Sequence, residues 1–159
     1  MQSFKNLLIS FVSVFAIGAL SGYFSRMGTQ GWYAELPQAT LTPPAIWFRV
    51  VWSILYVLQA LSFWLILRAE ASALRTLCIK LFSGQLILQL AWCFCFFFLG
   101  QTGLGLILML ALLWVVWNML KSFAQVSQTA AYLNYPLFAW LAFATWLNIS
   151  YVWINGAVI

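Results

Sequence analysis

The chain has no histidine and only two acidic residues, Glu35 and Glu70, against seven lysines and arginines in 159 residues. Those absences exclude most conventional chemistry. Without histidine, with two acids and no paired thiols, no transition-metal ligand set can be assembled. There is no Ser-His or Cys-His pair to activate a nucleophile. Neither glutamate falls in an apolar run, so the intramembrane carboxylate on which proton-driven pumps rely is missing. No glycine-rich phosphate loop points to ATP. The basic residues are scattered, which gives no nucleic-acid footprint. Cys78, Cys93 and Cys95 are the only cysteines. They read as small apolar packing residues, and Cys93 and Cys95 point to different helix faces, so a disulfide between them is not expected.

Charge itself is scarce, at 6% of residues, where soluble domains carry about 25%. Hydrophobic residues make up 65%, too much to cover a water-facing surface. Five apolar runs stand between charged or Gly/Pro punctuation, roughly at 6–25, 45–67, 78–99, 104–121 and 130–154, each near the ~20 residues that cross hydrocarbon as a helix. The expected fold is an all-α integral membrane protein, a single domain over 1–159 built as a five-transmembrane-helix bundle. A β-barrel would need short alternating segments instead. The first run is longer than a signal-peptide core and no clear small-x-small site follows it, so it reads as a span. Lys5, Arg68, Arg75, Lys80 and Lys121 then share one side, with Arg26 on the other. The positive-inside rule puts the N-terminus in the cytoplasm and the C-terminus outside, with the long loop 27–42 external.

That loop holds Trp32, Tyr33, Leu36 and Pro37, and it ends on Pro43-Pro44. Prolines lower the entropy cost of ordering, and the loop reads as an ordered lid, with interfacial anchoring by Trp32 and Tyr33 as the alternative. Pro44 fits the first turn of the second span, entered in an extended conformation. Helical spacing sorts that span into an aliphatic side (Ile46, Val50, Ile54, Val57, Leu61) and a side with Phe48, Arg49, Trp52, Tyr56, Gln59 and Phe63. The third span aligns Gln85, Gln89, Trp92 and Phe96. The fifth aligns Pro136, Trp140, Ala144, Asn148 and Tyr151, and the fourth adds Trp114, Trp117, Asn118 and Lys121. Amides are costly in hydrocarbon unless paired, so Gln85, Gln89 and Asn148 should face inward, either as interhelical ties or as the polar groups of a shared aromatic cavity. In the first span Ser10, Gly18, Ser21, Gly22 and Ser25 form a small-residue side for close helix approach, within the chain or between two copies.

Trp32-Tyr33-x-x-Leu36, Pro43-Pro44 and Trp52-x-x-Leu55-Tyr56 together resemble the translocator protein family, also called the tryptophan-rich sensory (TspO) or peripheral-type benzodiazepine receptor family. Trp92 with Phe96-Phe97 and Pro136-x-x-x-Trp140-x-x-Phe143-Ala144-x-x-Leu147-Asn148 extend the match over nearly the whole chain. The resemblance implies a five-helix bundle, usually a homodimer in the lipid bilayer, that binds porphyrins, haem and, in many members, sterols or drug-like molecules. It places Phe48, Trp52, Tyr56, Trp92, Trp140, Ala144 and Asn148 around the ligand. The lid and the facing stripes add Trp32, Gln89 and Phe96, and Arg49 either pairs with a ligand carboxylate or reaches the headgroups. Porphyrin or haem is then the ligand, and no cofactor or metal is required. Binding is the first reading and passive transport a variant of it. Porphyrin photo-oxidation through Trp52 and Trp140 is the alternative, the only enzymatic one. Departures from the family pattern are Gln38-Ala39-Thr40-Leu41 in the lid, Gln89 for asparagine, Leu137 for tyrosine, and no basic residue after Tyr151 to complete a sterol motif.

Overall fold

The computed structural model describes residues 2–37 and 42–158; the lid positions 38–41, with their departure from the family pattern, lie outside the described residues. The chain is built from α1 (Gln2–Thr29), α2 (Trp32–Glu35), α3 (Ala45–Arg68), α4 (Ala73–Cys93), α5 (Thr102–Val126), α6 (Gln128–Tyr132) and α7 (Tyr135–Asn155). Between α4 and α5 runs a single π-helical stretch, Phe94–Phe98. Among the described residues five stretches are long and apolar enough to span: α1, α3, α4 with its π turn, α5, and α6–α7 taken together. The protein is therefore an integral, multi-pass membrane protein. Each helix outruns its apolar core, because the backbone keeps its internal bonds into the polar interfacial turns. α1 continues through Ser25-Arg26-Met27-Gly28-Thr29, so the lid starts at about residue 30, not 27.

Local signals set the boundaries. Pro44 is the residue before α3 (φ −53°, ψ 144°), one place earlier than a first-turn proline. Its carbonyl accepts from the Trp47 N–H at 2.9 Å, and its missing N–H costs nothing there. Ser72 caps α4 by accepting from the Arg75 N–H. Arg75 in turn donates to the Ile66 and Leu67 carbonyls that end α3. Trp64 reaches the Ser3 carbonyl and Asn6 the Leu67 carbonyl. These bonds gather Lys5, Arg68 and Arg75 at one end of the bundle. The fifth span breaks at Leu133-Asn134 ahead of Pro136, which sits in the first turn of α7. The buried Asn134 amide spans that break, donating to Ser62 Oγ (2.5 Å) and the Ala130 carbonyl (3.0 Å).

The faces of α3 sort as spacing predicts, apart from Arg49, which is exposed. Ile46, Val50, Ile54 and Val57 are exposed, while Gln59 and Phe63 are buried opposite them. The small side of α1 packs within the chain. Ser10 donates to the Ala60 carbonyl and Ser21 is buried. Gly18 lies under the Tyr56 ring, where a Cβ would come within 2.8 Å of it. Only Gly22 of this set opens outward. The tightest approach is at Gly28, where a Cβ would stand 2.2 Å from the Phe97 carbonyl oxygen. Backbone cannot rotate away as a side chain can. Gly28→Ala should therefore push α1 off the π turn and destabilise the fold by ~1–3 kcal/mol, lowering Tm in detergent. Gly22→Ala, with open space around it, should leave Tm unchanged or raise it slightly.

Candidate ligand site

Buried amides tie the middle of the bundle. Gln85 Nε2 donates to Gln59 Oε1 and Gln89 Nε2 donates to the Tyr56 hydroxyl, both at 3.0 Å. All three glutamines are fully buried. The Tyr56 ring stacks on Trp52, centroids 5.5 Å apart. One amide atom each of Gln59, Gln85 and Gln89 has no partner among the described residues, so these ties are incomplete.

One helical turn above Gln89, α4 changes pitch. The Leu99 N–H bonds back five residues to the Phe94 carbonyl (3.0 Å), and the Gln101 N–H takes the Cys95 carbonyl (2.9 Å). The wider turn puts two consecutive rings, Phe96 and Phe97, on the inner side, which a regular helix would separate by a hundred degrees. Gly100, at φ 71°, ends the turn, a conformation that favours glycine. Its position faces the Trp32 ring. Across the bundle α7 contributes Ala144, Leu147, Asn148 and Tyr151, and α3 contributes Phe48. Together with Trp92 and Tyr33 these residues enclose a cavity of about 30 Å³. Its polar groups converge on Asn148. The amide orientation that satisfies both neighbours has it accept from Trp92 Nε1 and donate to the Thr102 carbonyl, each at 3.2 Å.

The lid closes this cavity from above. Trp32 Nε1 donates to the Phe97 carbonyl at 2.7 Å. Tyr33 packs on Phe97 (5.5 Å), Phe96 (6.0 Å) and Tyr151 (5.1 Å). Burial, and secondarily its hydrogen bond with Tyr151, raises the Tyr33 phenol above its ordinary pKa, so this ring keeps its proton against the cavity. The Thr42 and Tyr151 hydroxyls lie 3.3 Å apart.

The sequence profile of the TspO/MBR family matches residues 10–154. The chain belongs to the TspO/MBR family. It is 30% identical to the tryptophan-rich protein TspO of Chlorobaculum tepidum over 88% of this chain and 89% of that one. Similarity to the translocator protein of Bos taurus is 32% over 88% and 86%. To the translocator protein of Homo sapiens it is 34% over 77% and 73%.

Within this TspO/MBR bundle the residues expected at the site divide into groups. Phe48, Trp92, Phe96, Ala144 and Asn148 line the cavity, and Trp32 lies over it in the lid. Trp52, Tyr56 and Gln89 form the bonded cluster next to it, not its wall. Trp140 lines a separate groove on the outside, and its ring meets that of the wall residue Phe48 at 5.4 Å. Arg49 is exposed and lines neither space. The fourth span does not join the wall: Trp114 and Trp117 are 67% and 44% exposed, facing lipid, and Lys121 sits over the Trp117 ring. Four lining residues were missing from the expected set. Tyr151 stood on the same stripe as Asn148 and was legible. Tyr33 was taken as lid or anchor. Phe97 and Leu147 stood in the motifs but off the helical stripes; the π turn brings Phe97 to the wall, and Leu147 lines it beside Asn148.

The paired glutamines make a stability prediction. Gln85→Leu leaves both ends of the Gln59 amide unpaired and should cost ~1–3 kcal/mol, while Gln59→Leu with Gln85→Leu should recover most of it. A double-mutant cycle by denaturant unfolding in micelles reads the difference, and simple additivity of the two losses would show that the pair is not coupled.

Proposed function

We propose that this TspO/MBR protein is a membrane receptor for tetrapyrroles, porphyrin or haem, held between α3, α4 and α7 beneath the lid. The observation that carries this reading is the ring-lined cavity with a single converging amide. Phe48, Trp92, Phe96, Phe97, Tyr33 and Tyr151 offer faces and edges to a flat aromatic macrocycle, and Asn148 with Trp92 Nε1 offers the directional contacts. Apolar walls with few polar groups suit a ligand drawn from the membrane. The family membership supports the same ligand class. We place the N-terminus in the cytoplasm, on the side where Lys5, Arg68 and Arg75 gather, and take the working unit to be a homodimer.

The cavity of about 30 Å³ has room for one or two waters, against ~300–1,000 Å³ for a small-molecule site. The described conformation is thus the closed form, and binding requires the lid and rings to part. Ligand affinity then includes the cost of opening.

Titration of the reconstituted protein with protoporphyrin IX, followed by tryptophan fluorescence, tests the reading. Wild type should show saturable quenching. Trp92→Ala and Phe48→Ala should each weaken binding about 5- to 30-fold, equivalent to ~1–2 kcal/mol. Trp114→Phe, on the lipid face, should match wild type. Equal affinity across all four proteins, or no saturation in wild type, removes the tetrapyrrole assignment.

A further inference from the structure

The second cavity is larger than the first and lies on the outside of the bundle. α3 packs on α1, α4 and α6, and α7 packs on α5 and α6, but α3 and α7 do not pack closely on each other. Between them runs a groove of about 430 Å³, lined by Val51, Ile54 and Leu55 of α3 and by Pro136, Ala139, Trp140 and Phe143 of α7. It opens sideways: Ile54 is 54% exposed, and Ala139 is exposed on the facing helix. In a spanning helix pair this direction is the hydrocarbon of the bilayer.

A ring contact joins the wall of that groove to the wall of the inner cavity. Phe48 is a wall residue of the cavity, and its ring meets the Trp140 ring of the groove edge-on at 5.4 Å. Trp140 Nε1 is buried without a hydrogen-bond partner among the described residues. A buried N–H in hydrocarbon costs free energy while unpaired, and an acceptor on a passing molecule would relieve it. The lid side is closed differently, by the Trp32 bond to the Phe97 carbonyl and by the Asn155 amide reaching the Pro37 carbonyl at 3.5 Å. Opening there breaks directional bonds. Opening on the groove side needs the Phe48 ring to change rotamer, near the start of a helix whose neighbour on that side is a gap.

We infer that the groove between α3 and α7 is a lateral doorway, through which an apolar molecule bearing a hydrogen-bond acceptor passes between the bilayer and the inner cavity. Phe48 and Trp140 form its latch. This rests on the reading of the inner cavity as a ligand site, but the groove itself can be tested without any ligand. In the resting state lipid chains fill it and lie against Trp140.

Ala139→Phe narrows the groove from an exposed position away from the inner cavity, and an unchanged Tm serves as its folding control. With protoporphyrin IX delivered from phosphatidylcholine vesicles in stopped flow, this variant should associate and dissociate about tenfold more slowly or worse, with Kd shifted by no more than about threefold. Rates equal to wild type overturn the doorway. A second arm uses ligand-free protein in vesicles of phosphatidylcholine brominated at mid-chain. Trp140 emission, obtained by difference from Trp140→Phe, should be quenched in wild type and protected in Ala139→Phe. Emission equal in brominated and plain vesicles overturns the proposal, since lipid then does not reach the latch. The quenching arm decides the doorway even where protoporphyrin fails to bind, so failure of the ligand reading and failure of the doorway are told apart.

Discussion

Hydrocarbon offers no hydrogen-bond partner, and the bundle is organised around that constraint. Most amides and hydroxyls placed inside are tied to another group of the same chain, though some of their atoms stay unpaired among the described residues. Ser10 takes the Ala60 carbonyl, Ser62 takes the Ala130 carbonyl, Asn134 takes Ser62, Gln85 takes Gln59 and Gln89 takes Tyr56. These bonds join α1, α3, α4 and the α6–α7 break. Apolar side chains alone would slide, since lipid is as good a neighbour to leucine as another helix is. The directional ties therefore fix which helix faces which, and the aromatic wall above them inherits its register.

The same constraint divides the molecule into a static and an adaptable part. Where the polar ties lie, movement would strand donors and acceptors in a dry interior. Around the cavity, the contacts between Phe96, Phe97, Tyr33, Tyr151 and Phe48 are mostly ring on ring. Such contacts are worth ~0.5–1.5 kcal/mol beyond the area they bury and tolerate several geometries. Apart from the Tyr33–Tyr151 and Thr42–Tyr151 hydroxyl contacts, these rings can separate and re-pack without leaving an unpaired group. A cavity closed to about 30 Å³ is compatible with a larger ligand only in a part of the structure built this way. The few directional contacts there, from Trp32 to the Phe97 carbonyl and from Asn148 to Trp92 and Thr102, then set how tightly the empty site stays shut.

Composition and period were sufficient for the spans and for most of the wall. The run lengths predicted five crossings. The spacing in α3 separated Ile46, Val50, Ile54 and Val57 from Gln59 and Phe63, because burial in a bundle repeats with the helical turn. The i, i+4 stripe of α7 put Ala144 and Asn148 on one face, and both line the cavity. Three things were not legible, each for a physical reason. The extra backbone bond of the Phe94–Phe98 turn leaves no residue-level mark, so Phe97 looked like a neighbour of the wall and not part of it. Trp114 and Trp117 are aromatic on a lipid-facing side, where rings serve as well as leucines do, and composition alone cannot tell those uses apart. Trp140 shares a stripe with Ala144, yet a full turn of separation carries its indole around the edge of α3 to the outer groove.

Arg49 illustrates how the fold changes the weighing of alternatives. Its position on α3 next to Phe48 made it a plausible partner for a ligand carboxylate. In the bundle it is exposed near the start of α3, next to the exposed Trp47 and Val50 and outside both cavities. A guanidinium there keeps its charge in the interface while its stem covers apolar surface. Drawing it into a ring-lined cavity would exchange that hydration for a dry site, and a single carboxylate would have to offset the desolvation of two ions. Among its lining residues the cavity supplies neutral donors, the Asn148 amide, Trp92 Nε1 and the Tyr33 and Tyr151 phenols. Under the tetrapyrrole reading proposed above, the acid groups would therefore turn toward the lid and the aqueous boundary, and the macrocycle would lie among the rings below.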